Sequence, residues 1–227
     1  MRVKAGAHVA LNFHGLGEPH IGVDADERPF WLSREAFAAI LDRIARDPHP
    51  ERFAITFDDG NASDLEAAEM LSRRGLRGRF YVLAGRLGQP NYLSHADLRM
   101  LTGMGMTVGL HGRNHLDWRT LDDAGLEDET ISARDEVAEA SGRPVDEVAI
   151  PYGAYDSRVF AWLEHHGFRH ILTSDRGTFD PDARVWNRNT MMADMGDDMI
   201  EAILAGSVGP LERVKLAASR AYRRRLR

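Results

Sequence analysis

The sequence predicts an α/β protein in which seven parallel strands close into an irregular barrel. Short apolar runs alternate with helical patterns along almost the whole chain. The apolar runs are nearly continuous, which is typical of strands buried on both faces. The helical stretches between them supply the crossovers that parallel strands need. An open doubly wound sheet is the alternative arrangement of the same elements.

Each element has a local signal. Serines mark three helix starts: Ser33, Ser63 and Ser94, the last with Asp97 as a capping box. Gly75 ends the second of these helices. The predicted strands are 8–14, 52–58, 79–84, 106–111, 147–152, 170–174 and 184–188.

Composition excludes several classes of protein. The chain has 227 residues, of which 43% are hydrophobic and 28% charged, as in a single globular domain. The formal net charge of −6 argues against a general nucleic-acid-binding protein. Because there is no cysteine, disulfides and thiolate metal sites are excluded. No apolar segment resembles a secretory signal or a membrane span, so we expect a cytoplasmic protein.

The carboxyl ends of parallel strands are where functional groups gather in this architecture. We therefore expect a cleft at this edge, with walls formed by the irregular stretches 15–32 and 174–185. The polar residues that end the apolar runs are His14, Asp58, Asp59, His111 with His115, and Tyr152 with Gly153.

Two histidines four residues apart, in HGRNH (111–115), have a spacing that binds metal ions if the segment forms a helical turn. A carboxylate from another strand end would complete a common catalytic metal set. Asp58 and Asp59 then offer one ligand and one base. A structural role for the histidines, and helix capping or turn formation by the aspartates, are the alternatives.

Three motifs, TFDDG (56–60), HGRNH (111–115) and PYG (151–153), together resemble the polysaccharide deacetylase family, carbohydrate esterase family 4. The resemblance covers roughly residues 8–190. It implies a distorted (β/α)7-type barrel with parallel strands. It also implies a metal-dependent hydrolase that removes an N-acetyl group from a saccharide.

Matched position by position, the resemblance implies that Asp58 is the general base and that Asp59, His111 and His115 are metal ligands. It implies further that the Tyr152 N–H helps to form an oxyanion hole. Zn²⁺ is the expected ion, and the same ligands suit Co²⁺, Ni²⁺ or Fe²⁺. A non-haem iron oxygenase can use such ligands, but a second carboxylate beside them fits hydrolysis better.

Two positions depart from the family pattern. Gly112 stands where the second motif usually has Ser or Thr. Ala149 stands where the third motif usually has the arginine that orients the base. Arg188 and Arg113 are candidates to replace that arginine from another strand.

The late L-x-H motif of the family, which carries the acid histidine, is absent after residue 188. Circularly permuted members, which resemble the poly-N-acetylglucosamine deacetylases, carry that histidine on the first strand. The segment LNFH (11–14) fits this arrangement, so we expect His14 to be the general acid. A hydrogen-bonded, non-catalytic histidine is the alternative.

We expect a saccharide substrate, contacted by Tyr152, Gly153 and Trp186. Aromatic rings stack on sugars, although core or rim packing is the commoner role for such residues. Two other functions stay open. One is a catalytically degenerate member that binds glycans, and the other is a hydrolase of small non-sugar amides. Trp31, Tyr92, Trp118 and Tyr155 are the other aromatic candidates.

The whole chain, 1–227, is expected to form one domain, with a C-terminal helical extension over 196–227. Seven of the residues 213–227 are Lys or Arg. A solvated helix end or terminus is the expected role of this segment, and contact with an anionic membrane surface is the alternative. The sequence contains no signal for a particular oligomeric state.

Overall fold

The computed structural model describes residues 7–207, which contain ten strands and seven α-helices. The strands are β1 (His8–Phe13), β2 (Gly15–Leu16), β3 (Trp31–Leu32), β4 (Phe53–Phe57), β5 (Gly78–Val82), β6 (Thr107–Leu110), β7 (Glu147–Ala149), β8 (His170–Thr173), β9 (Thr178–Phe179) and β10 (Val185–Thr190). The helices are α1 (Arg34–Ala45), α2 (Ser63–Ser72), α3 (His95–Gly103), α4 (Asp123–Leu126), α5 (Ala133–Ser141), α6 (Ser157–His165) and α7 (Asp197–Leu204). A π-helical turn, Glu127–Ser132, joins α4 to α5.

Seven parallel strands form a closed barrel in the order β1–β4–β5–β6–β7–β8–β10. The barrel closes where β10 pairs with β1, with Ala10 opposite Arg188. This closure excludes the open doubly wound sheet and confirms the predicted (β/α)7-type barrel. The strand β9 adds an antiparallel partner to β1, and β2 and β3 form a separate pair.

The outer face of the strands carries the hydrophobic core beneath the helices. Phe13, Phe57 and Phe80 lie on adjacent strands and are fully buried. The ring of Phe57 stacks on Phe80 at 4.6 Å, and Phe37 of α1 packs edge-on against Phe13 at 5.0 Å. Burial of such aromatic side chains is the main source of stability at this interface.

The inner face of the barrel carries buried polar side chains beside a second, smaller apolar cluster. Because side chains alternate along a strand, Asn12, Thr56 and Tyr81 point opposite to the aromatic core residues beside them. Arg188 of β10 reaches Thr56 of β4 across the barrel interior, at 3.3 Å. Lower in the barrel, the Glu147 carboxylate accepts hydrogen bonds from Tyr81 and pairs with Arg79 and His170.

Two of the three predicted helix starts are confirmed. The Ser33 hydroxyl accepts the Ala36 N–H at 3.1 Å, and Ser94 forms the capping box with Asp97. The prediction for Ser63 is wrong, because it is the first residue of α2 rather than its cap. Its hydroxyl instead accepts the Leu16 N–H at 3.1 Å and ties α2 to β2.

At the C-terminal side, α7 is the described part of the expected extension over 196–227. The basic segment 213–227 lies outside the described residues, so its role stays a prediction. Within residues 7–207, no helix is both long enough and apolar enough to cross a bilayer.

Candidate active site

A cleft of about 480 Å³ opens at the carboxyl ends of the barrel strands. His14, Asp58 and His111 lie here, because each directly follows the last residue of a barrel strand. Both expected wall segments contribute: the lining also includes Glu27 and Phe30 from the first, and Ser174 and Arg176 from the second.

Asp59, His111 and His115 converge in this cleft. The Asp59 Oδ1 lies 3.7 Å from His111 Nε2 and 3.9 Å from His115 Nε2. One ligand atom from each residue lies within 4.8 Å of the others. The two histidines do not meet on a helical turn, as the spacing suggested. They meet through an irregular loop in which Gly112 and His115 have φ of +95° and +59°.

The Asp59 carboxylate has the environment of a metal ligand. Its Oδ1 is buried and has no hydrogen-bond partner among the described residues. Burial, together with the negative charges of Asp58 and Glu27, raises the pKa of Asp59 to about 8. A cation held between Asp59 and two imidazoles would offset both the cost of burying the carboxylate charge and its repulsion by Asp58 and Glu27. The residues present therefore fit a divalent metal ion.

Both histidines are set up as neutral ligands. Burial lowers the pKa of His115 to about 3, with His111 and Arg86 adding to the effect. Burial also lowers the pKa of His111. The Nδ1 atom of His111 lies 2.8 Å from the Ala149 carbonyl oxygen, so Nδ1 carries the proton and Nε2 faces the cleft with its lone pair. The His115 Nδ1 lies 3.9 Å from the Glu27 carboxylate.

Asp58 is held by an arginine from the last strand of the barrel. The Arg188 guanidinium donates to both carboxylate oxygens, at 2.7 and 2.8 Å, and Asn12 Nδ2 donates to Oδ2 at 2.9 Å. Burial by itself would raise the pKa of Asp58, but the charge and hydrogen bonds of Arg188, together with His111 and His14, outweigh it and hold that pKa well below its usual range. Asp58 does not cap α2, whose N-cap residue is Ala62.

His14 faces the same cleft from the end of β1. Its ring stacks on Phe30 at 4.9 Å, and its Nδ1 is buried without a hydrogen-bond partner among the described residues. Burial lowers the pKa of His14 to about 4, although Asp58 acts in the opposite direction. The free protein therefore holds this imidazole neutral at neutral pH.

Tyr152 and Gly153 form a tight turn over His115. Both have left-handed backbone angles, with φ of +57° and +59°. A Cβ at Gly153 would lie 2.7 Å from the Ser174 Cβ, so glycine is required there. The Tyr152 ring is 65% exposed and packs 4.2 Å from the His115 ring. Left-handed non-glycine residues store strain and cluster at functional sites, and Asp59 and His115 are further examples here.

Trp186 lies at the opposite end of the barrel. It is the second residue of β10 and lines a separate cavity near the amino ends of the strands. Its ring is sandwiched between His170 at 4.2 Å and Phe179 at 4.5 Å, and it is only 4% exposed. The structure therefore does not bring Trp186, expected to contact the substrate, into the cleft that Asp58 lines.

The family profile for polysaccharide deacetylases matches residues 45–171, more than half of the chain. This chain belongs to the polysaccharide deacetylase family. The matched range includes Asp58, Asp59, both loop histidines and the Tyr152 turn, whereas His14 and Arg188 fall outside it. No curated protein sequence matches this polysaccharide deacetylase.

Several solved structures share the fold of this polysaccharide deacetylase. BC0361, a polysaccharide deacetylase from Bacillus cereus, is 17% identical with a TM-score of 0.73, over 87% of this chain and 68% of that one. The Streptococcus pyogenes deacetylase PplD, in complex with acetate, is 16% identical with a TM-score of 0.73, over 89% and 99%. IcaB from Ammonifex degensii is 21% identical with a TM-score of 0.71, over 90% and 98%. At these identities the likeness is one of fold.

The structure resolves which arginine lies beside Asp58 in this polysaccharide deacetylase. Arg188 makes the bidentate contact, while Arg113 pairs with Asp128 and Glu136 on the outside. Sequence reasoning missed Asn12, although a polar residue inside the apolar run HVALNF was a usable signal. It also missed Glu27, for which the acidic segment DADE (24–27) offers only a weak signal.

Proposed function

We propose that this protein hydrolyses the N-acetyl group of a saccharide. One observation carries the proposal. A buried carboxylate (Asp59), whose Oδ1 has no hydrogen-bond partner within residues 7–207, converges with two neutral imidazoles. It lies directly beside a second carboxylate (Asp58) that an arginine holds in place. Family membership supports the reaction class. A cleft of about 480 Å³ lies within the size range of small-molecule sites.

Asp59, His111 and His115 are the proposed metal ligands, with Zn²⁺ as the expected ion and Co²⁺, Ni²⁺ or Fe²⁺ as alternatives. When bound, such an ion supplies Lewis-acid polarisation of a carbonyl and acidifies water. The protein contributes neutral imidazoles and a buried carboxylate whose negative charge a cation would stabilise.

Asp58 is the proposed general base. Its Oδ2 lies 3.9 Å from His111 Nε2, so it borders the ligand set without being needed for it. Arg188 and Asn12 fix the orientation of the carboxylate and keep it anionic, ready to accept a proton from the attacking water. The same clamp stops the carboxylate from turning away from the cleft.

His14 is the proposed general acid toward the departing amine. Because its pKa is about 4 in the free protein, it enters the reaction neutral. It therefore accepts a proton within the cleft before it donates one. The proton that Asp58 takes from water passes to His14 and then to the departing amine, which leaves Asp58 ionised and His14 neutral again. Its Nδ1, which has no hydrogen-bond partner in the described part of the chain, and its stacking on Phe30 suit such a transfer.

Tyr152 is proposed to donate its backbone N–H to the developing oxyanion, with Gly153 allowing the tight turn. The strained turn over His115 places this part of the backbone at the ligand loop. The exposed phenol ring of Tyr152 offers a face for a sugar ring at the cleft rim.

The first experiment measures metal stoichiometry and affinity for the wild type, Asp59→Ala and His111→Ala. His165→Ala, which changes an exposed histidine on α6, is the control. We expect about one tightly bound divalent ion per chain, lost in both site variants and kept in the control. Absence of tight binding by the wild type would refute the proposal.

The second experiment measures deacetylation of N-acetylated oligosaccharides by Asp58→Asn. This variant should keep the metal and lose most turnover, and near-normal turnover would show that the base is assigned wrongly. A metal-loaded wild type with no turnover on any acetylated sugar would indicate a degenerate binding protein. Turnover confined to cyclic amides would indicate a non-sugar hydrolase.

A further inference from the structure

One buried carboxylate accepts hydrogen bonds from two backbone N–H groups of the loop between the two proposed histidine ligands. Glu129 accepts the Arg113 N–H at 3.1 Å through Oε2 and the Asn114 N–H at 2.8 Å through Oε1. The indole N–H of Trp118 donates to the same Oε2 at 3.3 Å. Glu129 is only 2% exposed, so these donors are what makes its burial tolerable.

The carbonyl side of the same loop is fixed as well. The Ala84 N–H donates to the Gly112 carbonyl and the Gly85 N–H donates to the Arg113 carbonyl, each at 3.0 Å. The loop is therefore held between the segment after β5 on one side and the Glu129 carboxylate on the other. Neither anchor involves the side chains of His111 or His115.

Glu129 also accounts for Gly112, where the family motif usually has Ser or Thr. A Cβ at position 112 would lie 2.8 Å from the Glu129 Oε2 and 3.3 Å from the Trp118 ring. The backbone there has φ of +95°, which glycine adopts without strain. The carboxylate and a side chain at position 112 thus compete for one space, and this chain fills it with the carboxylate.

Glu129 reaches the loop from the π-helical turn that joins α4 to α5. In a π-helical turn the hydrogen-bond ladder accommodates an extra residue, which changes the direction of the side chains, and such turns are frequent at functional sites. Asp128 on the same turn and Glu136 on α5 are more exposed and form ion pairs with the side chain of Arg113.

We propose that Glu129 is a positioning residue for the metal site, which sets the spacing of His111 and His115 by holding the backbone between them. The inference rests on the proposed function, because it assigns the two histidines as ligands. Glu129 touches neither ligand side chain, so its effect is to keep the loop in its binding conformation before the ion arrives.

Glu129→Gln tests this inference. A glutamine has one acceptor oxygen in place of two and turns an NH₂ group toward at least one of the three donors, so the loop loses part of its anchor. Affinity for Zn²⁺, measured by competition with a chromophoric chelator, should fall by about 10–100-fold. The absorption spectrum of the Co²⁺-loaded protein at saturation should change, reporting altered ligand geometry.

Asp128→Asn and Glu136→Gln are the matched controls, because each removes one side-chain contact of Arg113 and leaves the backbone bonds intact. Their metal affinity should stay within about threefold of the wild type, as expected for exposed ion pairs. If Glu129→Gln fails to fold, Glu129→Asp keeps the charge but withdraws it by one methylene, and the same loss of affinity is expected.

The outcomes distinguish failure of the proposed function from failure of the role proposed for Glu129. A wild type without tight metal binding overturns the proposed function and the role of Glu129 with it. A wild type that binds metal, alongside a Glu129→Gln variant that matches the controls, overturns the role of Glu129 alone. A purely structural residue would lower Tm equally with and without Zn²⁺, whereas we expect the Zn²⁺-induced rise in Tm to shrink.

Discussion

Replacing Arg188 with methionine removes the clamp on Asp58 without changing any proposed metal ligand. Arg188 is fully buried and supplies two of the three hydrogen bonds that Asp58 receives from side chains among the described residues. Methionine has a similar length and no charge, so the substitution leaves Asp58 with the Asn12 amide as its remaining partner. The carboxylate is then buried, charged and only partly satisfied.

The size of the effect follows from that geometry. Breaking a buried ion pair by removing one partner typically costs ~3–5 kcal/mol. For a chain of this size each kcal/mol lowers Tm by ~2–4 °C, so we expect a drop of roughly 6–20 °C. The general base contributes ~10²–10⁴-fold to the rate, and because Asn12 still holds one oxygen we expect a loss in kcat of about 100-fold.

The assay compares Tm, kcat and Zn²⁺ affinity for Arg188→Met and Arg113→Met. Arg113 is the other arginine that the sequence offered for this role, and its ion pairs are partly exposed, so its loss should cost about 1 kcal/mol or less. Zn²⁺ affinity of Arg188→Met should be kept or increased, because a nearby positive charge is lost. Near-normal kcat in Arg188→Met, or equal losses in both variants, would refute the assignment of Arg188.

Three further predictions concern other groups. Trp186→Phe removes the indole bond to the Ala183 carbonyl at the far end of the barrel, so Tm should fall while KM stays unchanged. Tyr152→Phe keeps the backbone N–H and should retain kcat within about tenfold, since loss of a surface hydroxyl is worth about 0.5–1.5 kcal/mol at most. A larger loss would mean that the phenol takes part. Asp64→Asn should be more stable than the wild type at pH 7, because burial, with the charges of Asp59 and Asp58, raises the pKa of Asp64 well above 3.8 in the folded protein. The wild type therefore loses stability as the pH rises above 3.8, and the advantage of the variant in urea unfolding of metal-free protein should shrink toward pH 4.

The barrel and the position of the site could be predicted because both follow from local patterns. Apolar runs of strand length mark the seven barrel strands, and the parallel arrangement brings their carboxyl ends to one edge. That reasoning placed Asp58, His111 and His14 in one cleft. The convergence of His111 and His115 was predicted from helical spacing, yet it arises from a loop with left-handed residues. No periodicity could have indicated that backbone.

The sequence contained a signal for the position of Trp186 that the prediction overlooked. Trp186 lies two residues before Arg188 on the same strand, so the two side chains point to the same face but at different depths. Arg188 reaches Asp58 near the carboxyl end, which places Trp186 about 7 Å closer to the amino end. An aromatic residue at the start of a barrel strand belongs to the opposite end from the functional cleft.

The choice between Arg188 and Arg113 could not be made from the sequence, because it depends on barrel closure. Arg188 approaches Asp58 only once β10 has paired with β1, and this pairing joins residues about as far apart in the chain as any in the barrel. Glu129 was beyond prediction for a different reason. Its direction depends on a π-helical turn, and an ordinary helical periodicity over 123–141 would point it elsewhere.

Both departures from the family motifs are thus matched by a residue from another element, and the two replacements act on different halves of the site. Arg188 binds the proposed base, the contact expected of an arginine at position 149, whereas Glu129 occupies the space beside Gly112 and binds the loop of the proposed ligands. Their variants should therefore fail in opposite ways. Arg188→Met should bind Zn²⁺ normally and turn over slowly, while Glu129→Gln should bind Zn²⁺ weakly and recover turnover as the metal concentration is raised. If both variants lost metal and turnover together, the base and the ligand loop would be one coupled unit, and separate roles for the two residues would be wrong.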